Sequence, residues 1–459
     1  MKHFIQNIFL ILMITILILF SYAYLEKKEG QFGIRDFFEF LVNKREEQPE
    51  KKRIEPKSQE DLHPYRAVWV SYLEFNAYRR SAKNNNKKNF SKFFQHILEK
   101  SKKCGINRVI VQVRPFGDAL YQSGYFPWAA CISGTQGKAP GYDPLKVMVK
   151  LAHQNDVKIE AWINPYRISS GNNIEELHEE NPAKIWAASP ASTRNVLNYD
   201  GMLYYNPSSL EVQQLIVDGV TEIVKNYEVD GIHMDDYFYP AFTPENVSTG
   251  FDSLEYREAL ENRSIENKMT IAEWRRENVN TLVSAMYQAV KKEDPNVTFG
   301  ISPAGNLNNL RSDLEHYADI DTWMTGEGYV DYIMPQIYWG YTNSQAPFDK
   351  VLKEWCDLAE KSKVRLYIGI QLYRMGTEET QSDYEELQDP SLIQKQIRQV
   401  EESGVAAGYC LFSYQYLDPD NRTYLFDSCE FSKKRKKILR KIGKQLMGEG
   451  KDEKQTGSI

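Results

Sequence analysis

Eight short apolar runs, each followed by polar or helix-patterned chain, recur between Arg66 and Phe412, and this alternation narrows the possible folds more than anything else. The runs are Arg66–Ser71, Arg108–Val113, Lys158–Ile163, Gly231–Met234, Thr298–Ser302, Tyr332–Gln336, Leu366–Ile370 and Gly408–Phe412. They are too short for buried helices, and near-continuous apolar runs of this length fit strands covered on both faces. Between them, Phe90–Lys102, Pro144–Asn155, Ser209–Asn226, Ile271–Glu293, Phe348–Ser362 and Leu392–Glu402 carry the spacing of amphipathic helices. Leu314–Thr325 is a weaker segment of the same kind. The pattern predicts an α/β chain folded as a (β/α)8 TIM barrel. A doubly wound open sheet is the alternative, but no GxGxxG turn or P-loop accompanies any strand.

The flanks read differently. Met1-Lys2-His3 precedes an apolar stretch from Ile8 to Phe20 that extends to Leu25 and is stopped by Glu26-Lys27-Lys28-Glu29. Its length lies between a signal-peptide core and a full membrane span, so residues 1–25 predict a membrane anchor or a signal peptide. Either way the rest of the chain is expected outside the cytoplasm, membrane-anchored or secreted, at the cell envelope. Residues 26–62, rich in Lys, Glu, Gln and Pro, read as a charged flexible tether. The barrel is expected over 63–430, followed by a basic helix and tail over 431–459. In that helix Ile438, Leu439, Ile442 and Leu446 would pack inward, leaving Lys433–Lys437 solvated. Attraction of these charges to anionic wall polymers or lipid headgroups is the alternative.

Composition excludes some partners. A net charge of -6 argues against a nucleic-acid binder, which carries a basic footprint. The 29 Tyr and 8 Trp suit a protein that stacks rings on sugars. Five widely spaced Cys with no CxxC give neither a zinc ribbon nor a disulfide scaffold. No HExxH and no GxSxG occurs, which disfavours zincins and serine hydrolases; no metal and no cofactor is expected.

In a barrel of this type the loops after the strands build the active face. The long segments after the second, third and fourth runs therefore point to a substrate cleft. The fourth run delivers Asp235-Asp236 into the aromatic turn Tyr237-Phe238-Tyr239. Adjacent carboxylates repel and raise each other's pKa, an arrangement suited to acid/base chemistry. A plain surface turn is the competing explanation.

At these same positions the chain resembles the glycosyl hydrolase-like 10 domain of exported bacterial proteins. The similarity lies in His233-Met234-Asp235-Asp236-Tyr237-Phe238-Tyr239-Pro240, Arg66-Ala67-Val68-Trp69-Val70 and Gln112-Val113-Arg114-Pro115. It continues in Ala161-Trp162-Ile163-Asn164-Pro165-Tyr166 and Met334-Pro335-Gln336-Ile337-Tyr338-Trp339, and spans roughly Pro64 to Tyr416. The resemblance implies a TIM-barrel glycoside hydrolase-like enzyme, with peptidoglycan glycan strands as the substrate of at least one member.

Glycoside hydrolysis generally uses two carboxyl groups, about 5–5.5 Å apart in retaining enzymes and roughly 6.5–9.5 Å apart in inverting ones. Adjacent carboxylates offer a third route on an N-acetylated sugar, whose own amide oxygen attacks while one Asp orients it and the other donates a proton. The candidate catalytic residues are Asp235, Asp236 and, between two glycines, Glu327; Asp118, Glu74 and Asp331 are weaker, and Glu160 reads as a buried ion-pair member. Arg114, Asn164, Gln336 and Tyr338 are candidates to hold sugar hydroxyls or the acetamido group. Trp162, Tyr166, Tyr237 and Trp339 are candidate stacking platforms. His233, on the same strand face as Asp235, either bonds the acidic pair or is a satisfied interior histidine. The expected function is an exported glycoside hydrolase of a cell-wall polysaccharide; the alternative is a non-catalytic glycan-binding or scaffolding protein with the same cleft.

Overall fold

The computed structural model describes residues 64–262, 268–377, 384–419 and 432–448. The expected anchor (1–25) and tether (26–62) lie outside the described residues. Among the described residues, no helix is long and apolar enough to cross a membrane.

The strands are β1 (Tyr65–Val70), β2 (Arg108–Arg114), β3 (Lys158–Ile163), β4 (Arg167–Ser169), β5 (Val196–Tyr199), β6 (Met202–Tyr205) and β7 (Gly231–Asp235). They continue with β8 (Thr298–Ser302), β9 (Tyr332–Ile333), β10 (Gln336–Ile337), β11 (Arg365–Leu366), β12 (Ile368–Gln371) and β13 (Gly408–Phe412). Ten form one sheet, ordered β10-β12-β13-β1-β2-β3-β7-β8-β9-β11, and every pairing in it is parallel.

The two ends of that order meet. β9 and β10 are successive pieces of the sixth barrel strand, and β11 and β12 of the seventh. One ladder joins them, with the amides of Arg365, Tyr367 and Gly369 donating to the carbonyls of Asp331, Ile333 and Pro335. Pro335 has no N–H to return to the seventh strand, which is why both strands are interrupted there. The architecture is TIM-barrel-like, with the predicted helices found at Lys87–Lys103, Pro144–Gln154, Leu210–Asn226, Ile271–Glu293, Phe348–Ala359 and Leu392–Glu402.

The barrel interior is aromatic. Tyr65, Ala67, Trp69, Ile110, Trp162, Tyr332, Met334, Tyr367 and Cys410 fill it, with half-buried Phe412 above them. Gly300 on β8 makes room for the Tyr332 ring, into which any side chain would run. Each large side chain fully buried in this way contributes about 1.5–3 kcal/mol.

A polar chain threads this core. Trp69 Nε1 donates to His233 Nε2 at 3.1 Å, and His233 Nδ1 lies 2.8 Å from the Tyr332 hydroxyl. Tyr332 and Tyr65 both donate to Glu160, which also pairs with Arg108 at 3.0 Å. Burial lowers the His233 pKa to about 3, so the ring is neutral. Because Nε2 accepts, its proton sits on Nδ1 and goes to Tyr332.

The long segment after β3 folds into a second, antiparallel sheet ordered β4-β6-β5. Its β5–β6 turn is Asp200-Gly201, both residues at positive φ (47° and 73°), the requirement of a two-residue type I′ hairpin. A helix over Tyr72–Ser81 follows β1, started by a capping box in which Ser71 and Glu74 exchange bonds with each other's backbone amides. At the other end of the chain, the helix Lys433–Leu446 buries Ile438, Leu439 and Ile442. Its Arg435 donates to the carbonyls of Tyr373 and, at 3.2 Å, Met375.

Candidate active site

The C-terminal mouth of the barrel is built around the end of β7. Inward positions alternate along this strand, so Asp235 follows His233 on the interior face, one layer nearer the opening. Asp235 is 3% exposed. Its Oδ2 accepts from Trp162 Nε1 and its Oδ1 from Asn164 Nδ2, both at 3.1 Å. Burial raises its pKa to about 7; Arg167 opposes the shift, and the neighbouring Asp236 adds to it.

Asp236, one residue on, turns towards the end of β8. Its Oδ2 accepts from the Ala304 amide, and His316 Nδ1 lies 3.6 Å from the same oxygen and 3.2 Å from the Asp236 carbonyl. His316 is held at positive φ (59°), a conformation few non-glycine residues adopt.

Rings and one cation surround this pair. The Arg167 guanidinium lies 5.2 Å from the ring centres of both Phe116 and Tyr237, and Phe116 packs edge-on to Tyr72 at 5.3 Å. On the other side Tyr338 meets Tyr373 at 5.8 Å and Phe412 at 6.0 Å. Tyr237, at 47% exposed, offers an open ring face. Burial and the two aspartates push the Tyr237 hydroxyl up to about 12.

Several expected site residues gather here. Asp235, Asp236, Trp162, Asn164, Tyr237 and Tyr338 all border the mouth. Trp162 and Asn164 act there as donors to Asp235. Gln336 donates to the Ser302 carbonyl at 3.0 Å, and the Trp339 ring packs over Gly305, so both stand at the rim beside β8.

Four expected residues are placed elsewhere. A register shift in β2 between Gln112 and Arg114 re-aims Arg114 from the interior to the helix layer. Its guanidinium lies 3.8 Å from the Phe126 ring centre and against Gly219. Tyr166 is fully buried and packs edge-on to Phe238, leaving no face for a sugar. His233 bonds Trp69 and Tyr332 and is a satisfied interior histidine. Glu327 lies in the turn between the helix Ile320–Thr325 and β9, and turns entering strands open at the end opposite the mouth. There its side chain is 74% exposed and pairs with Lys363 at 2.9 Å.

Two residues at the site went unselected in the sequence. Arg167 follows the Asn164-Pro165-Tyr166 motif and belongs to β4, and the Asn-Pro dipeptide was the signal that the chain turns back over the mouth. His316 carried no local signal. Among the described residues, no group of three or more His, Cys, Asp or Glu side chains is placed to hold a metal ion.

The chain is similar to known proteins. The glycosyl hydrolase-like 10 family matches residues 64–386. Glycosyl hydrolase YngK of Bacillus subtilis is 36% identical over 328 residues, 68% of this chain and 61% of that protein. Glycosyl hydrolase DigH of Escherichia coli is 36% identical over 296 residues, 61% of this chain and 65% of that protein. The match thus spans less than two thirds of either relative. Among solved structures, an alpha-L-fucosidase from Paenibacillus thiaminolyticus superposes with a TM-score of 0.51 at 13% identity, over 84% of this chain and 49% of that one. The PgaB (BpsB) glycoside hydrolase domain from Bordetella bronchiseptica gives 0.50 at 12% identity, over 79% and 97%. At such low identity these two share the fold alone. By the extent of the family match, the chain belongs to the glycosyl hydrolase-like 10 family.

Proposed function

We propose that the chain is an exported glycoside hydrolase that cleaves glycosidic bonds in an N-acetylated cell-wall glycan, peptidoglycan strands first among them. The observation that carries this reading is a buried carboxyl raised to about 7, next to a second carboxylate, at the mouth of the barrel. A carboxyl with that pKa is substantially protonated near neutrality, which a proton donor to a leaving oxygen requires. The names of the relatives, glycosyl hydrolases, agree with this chemistry. Export rests on the apolar run Ile8–Phe20, which would also hold the enzyme at the membrane if it is not removed.

With Glu327 at the far end of the barrel, Asp235 and Asp236 are the carboxylates offered by β7. In the mechanism we favour, Asp235 protonates the glycosidic oxygen as the C–O bond breaks. The substrate's acetamido oxygen bonds to the anomeric carbon, while Asp236 accepts the amide N–H and stabilises the positive charge that forms. Water then opens the cyclic intermediate, returning a proton to Asp235. Asn164 and Trp162 hold Asp235 in position throughout. The aromatic walls supply faces on which sugar rings stack.

The test is digestion of purified peptidoglycan glycan strands by the full chain, read by mass spectrometry beside Asp235→Asn and Asp236→Asn. Cleavage by the parent and loss in both variants supports the reading. Binding without cleavage, unchanged in the variants, sinks it in favour of a glycan-binding scaffold.

A further inference from the structure

We propose that Arg167 is a recognition subsite for a carboxylate on the glycan, so that the enzyme selects strands built of acidic sugars over neutral ones. This deepens the glycan reading above and rests on it.

The residue is built into the wall rather than trailing from it. It begins β4, its amide donates to Asn164 Oδ1 at 3.0 Å, and its strand pairs with β6 through Tyr204. Asn164 uses its other end to donate to Asp235 at 3.1 Å. One side chain therefore fixes Arg167 and Asp235 relative to each other. The guanidinium also lies by two rings, 5.2 Å from the centres of both Phe116 and Tyr237.

What this guanidinium lacks is an acceptor. Arg167 is half-buried, and its Nε is shielded with no hydrogen-bond partner among the described residues. Arg108 is matched with Glu160, Arg275 with Asp252 and Lys291 with Asp331. Arg114 also has no acceptor among the described residues, but it is fully buried against Phe126 in the helix layer, whereas Arg167 is half-buried and stands at the mouth. Arg167 feels Asp235 through space but makes no ion pair with it. A planar fork of N–H donors at the rim of a sugar cleft, with no acceptor of its own among the described residues, is suited to meet a carboxylate bidentately. Charge also favours that ligand, since an anion beside Arg167 offsets a cation that no protein carboxylate neutralises by contact. Peptidoglycan strands freed of stem peptides carry such a group on every second sugar.

The experiment uses the full chain and three glycans: strands with free carboxylates, the same strands with those groups converted to neutral amides, and a neutral N-acetylglucosamine oligomer. The quantity read is the ratio of kcat/KM on the acid strand to that on its amide, which does not depend on how much of a preparation is folded. The parent is expected to prefer the acid strand by roughly ten- to a hundredfold, the effect of a charge-assisted pair. In Arg167→Gln the ratio should fall towards one, chiefly through KM, and Arg167→Lys should keep part of it. A parent ratio near one, or a ratio unchanged in Arg167→Gln, overturns the subsite. If the parent cleaves none of the three, the hydrolase reading fails separately. The subsite is then decided by equilibrium binding to the acid and amide strands, with the same expected preference and the same loss.

Discussion

Glu160 and Asp235 are both fully enclosed carboxyls on the inner face of neighbouring barrel strands, and they live opposite lives. Burial raises the pKa of each. Glu160, deep in the barrel, is answered by Arg108 and by two tyrosine hydroxyls. Asp235, at the mouth, has two neutral N–H donors and a second carboxylate beside it. The first is a completed network, whose value is to fix the core. The second has, among the described residues, no ion pair in contact with it and keeps its proton up to a pH of about 7. The contrast separates structural from chemical carboxylates by their partners, since burial alone does not.

The sharpest way to break this contrast is to substitute each carboxyl in turn. Asp235→Asn should lower kcat by about 10²–10⁴-fold. Both carboxylate oxygens accept N–H bonds here, so an amide in that place must point its own NH2 at a donor. Steady-state kinetics would show the loss, and retention of more than a tenth of the activity would remove Asp235 from the chemistry. Glu160→Ala should instead act on folding. Stranding the Arg108 guanidinium in the barrel should cost about 3–5 kcal/mol, read by denaturant unfolding. A comparable stability with lost turnover would reverse the two roles.

A smaller effect should appear in the pH profile. If protonated Asp235 is the acid, kcat/KM falls as pH rises through about 7. Arg167 lowers that pKa, so Arg167→Gln should move the falling limb up, by about one unit, on acid and amide substrates alike. A limb that stays in place would mean that Asp235 is not the group titrating. Linkage gives the matching sign for stability. A carboxyl raised in the folded state stabilises below its unfolded pKa, about 4, and that contribution is lost as pH climbs through about 7. The smallest effect is reserved for Glu327→Gln. An exposed pair with Lys363 contributes about 0–1 kcal/mol, and neither stability nor activity should change beyond that.

How much of this was legible in the chain follows from the kind of signal involved. The runs at Lys158–Ile163, Thr298–Ser302 and Gly408–Phe412 were read to their ends, because covered parallel strands declare themselves by apolar continuity. Asp235 and Asp236 were legible as a pair at a strand end, and Glu160 as a buried ion-pair member. The sixth and seventh strands read as single runs, and only the missing N–H of Pro335 divides them. The sheet β4-β6-β5 was passed over inside a long loop, although Asp200-Gly201 between Val196–Tyr199 and Met202–Tyr205 is a hairpin signal. Arg114 fails for a different reason: one extra residue in a ladder turns a side chain to the opposite face, and no local pattern marks where it falls. Glu327 looked accessible and is accessible, but at the wrong end of the barrel. Sequence order gives strand ends, and which end a turn occupies depends on whether the chain is entering or leaving.

The basic helix Lys433–Leu446 lies beyond the 386th residue, where the family match stops, yet its Arg435 grips the carbonyls of Tyr373 and Met375 just after β12. Tyr373 is one of the rings lining the cleft. A fragment trimmed to the matched region would therefore lose the clasp on one wall of its own cleft, and a chimera that grafts this barrel onto another protein would have to carry the clasp with it.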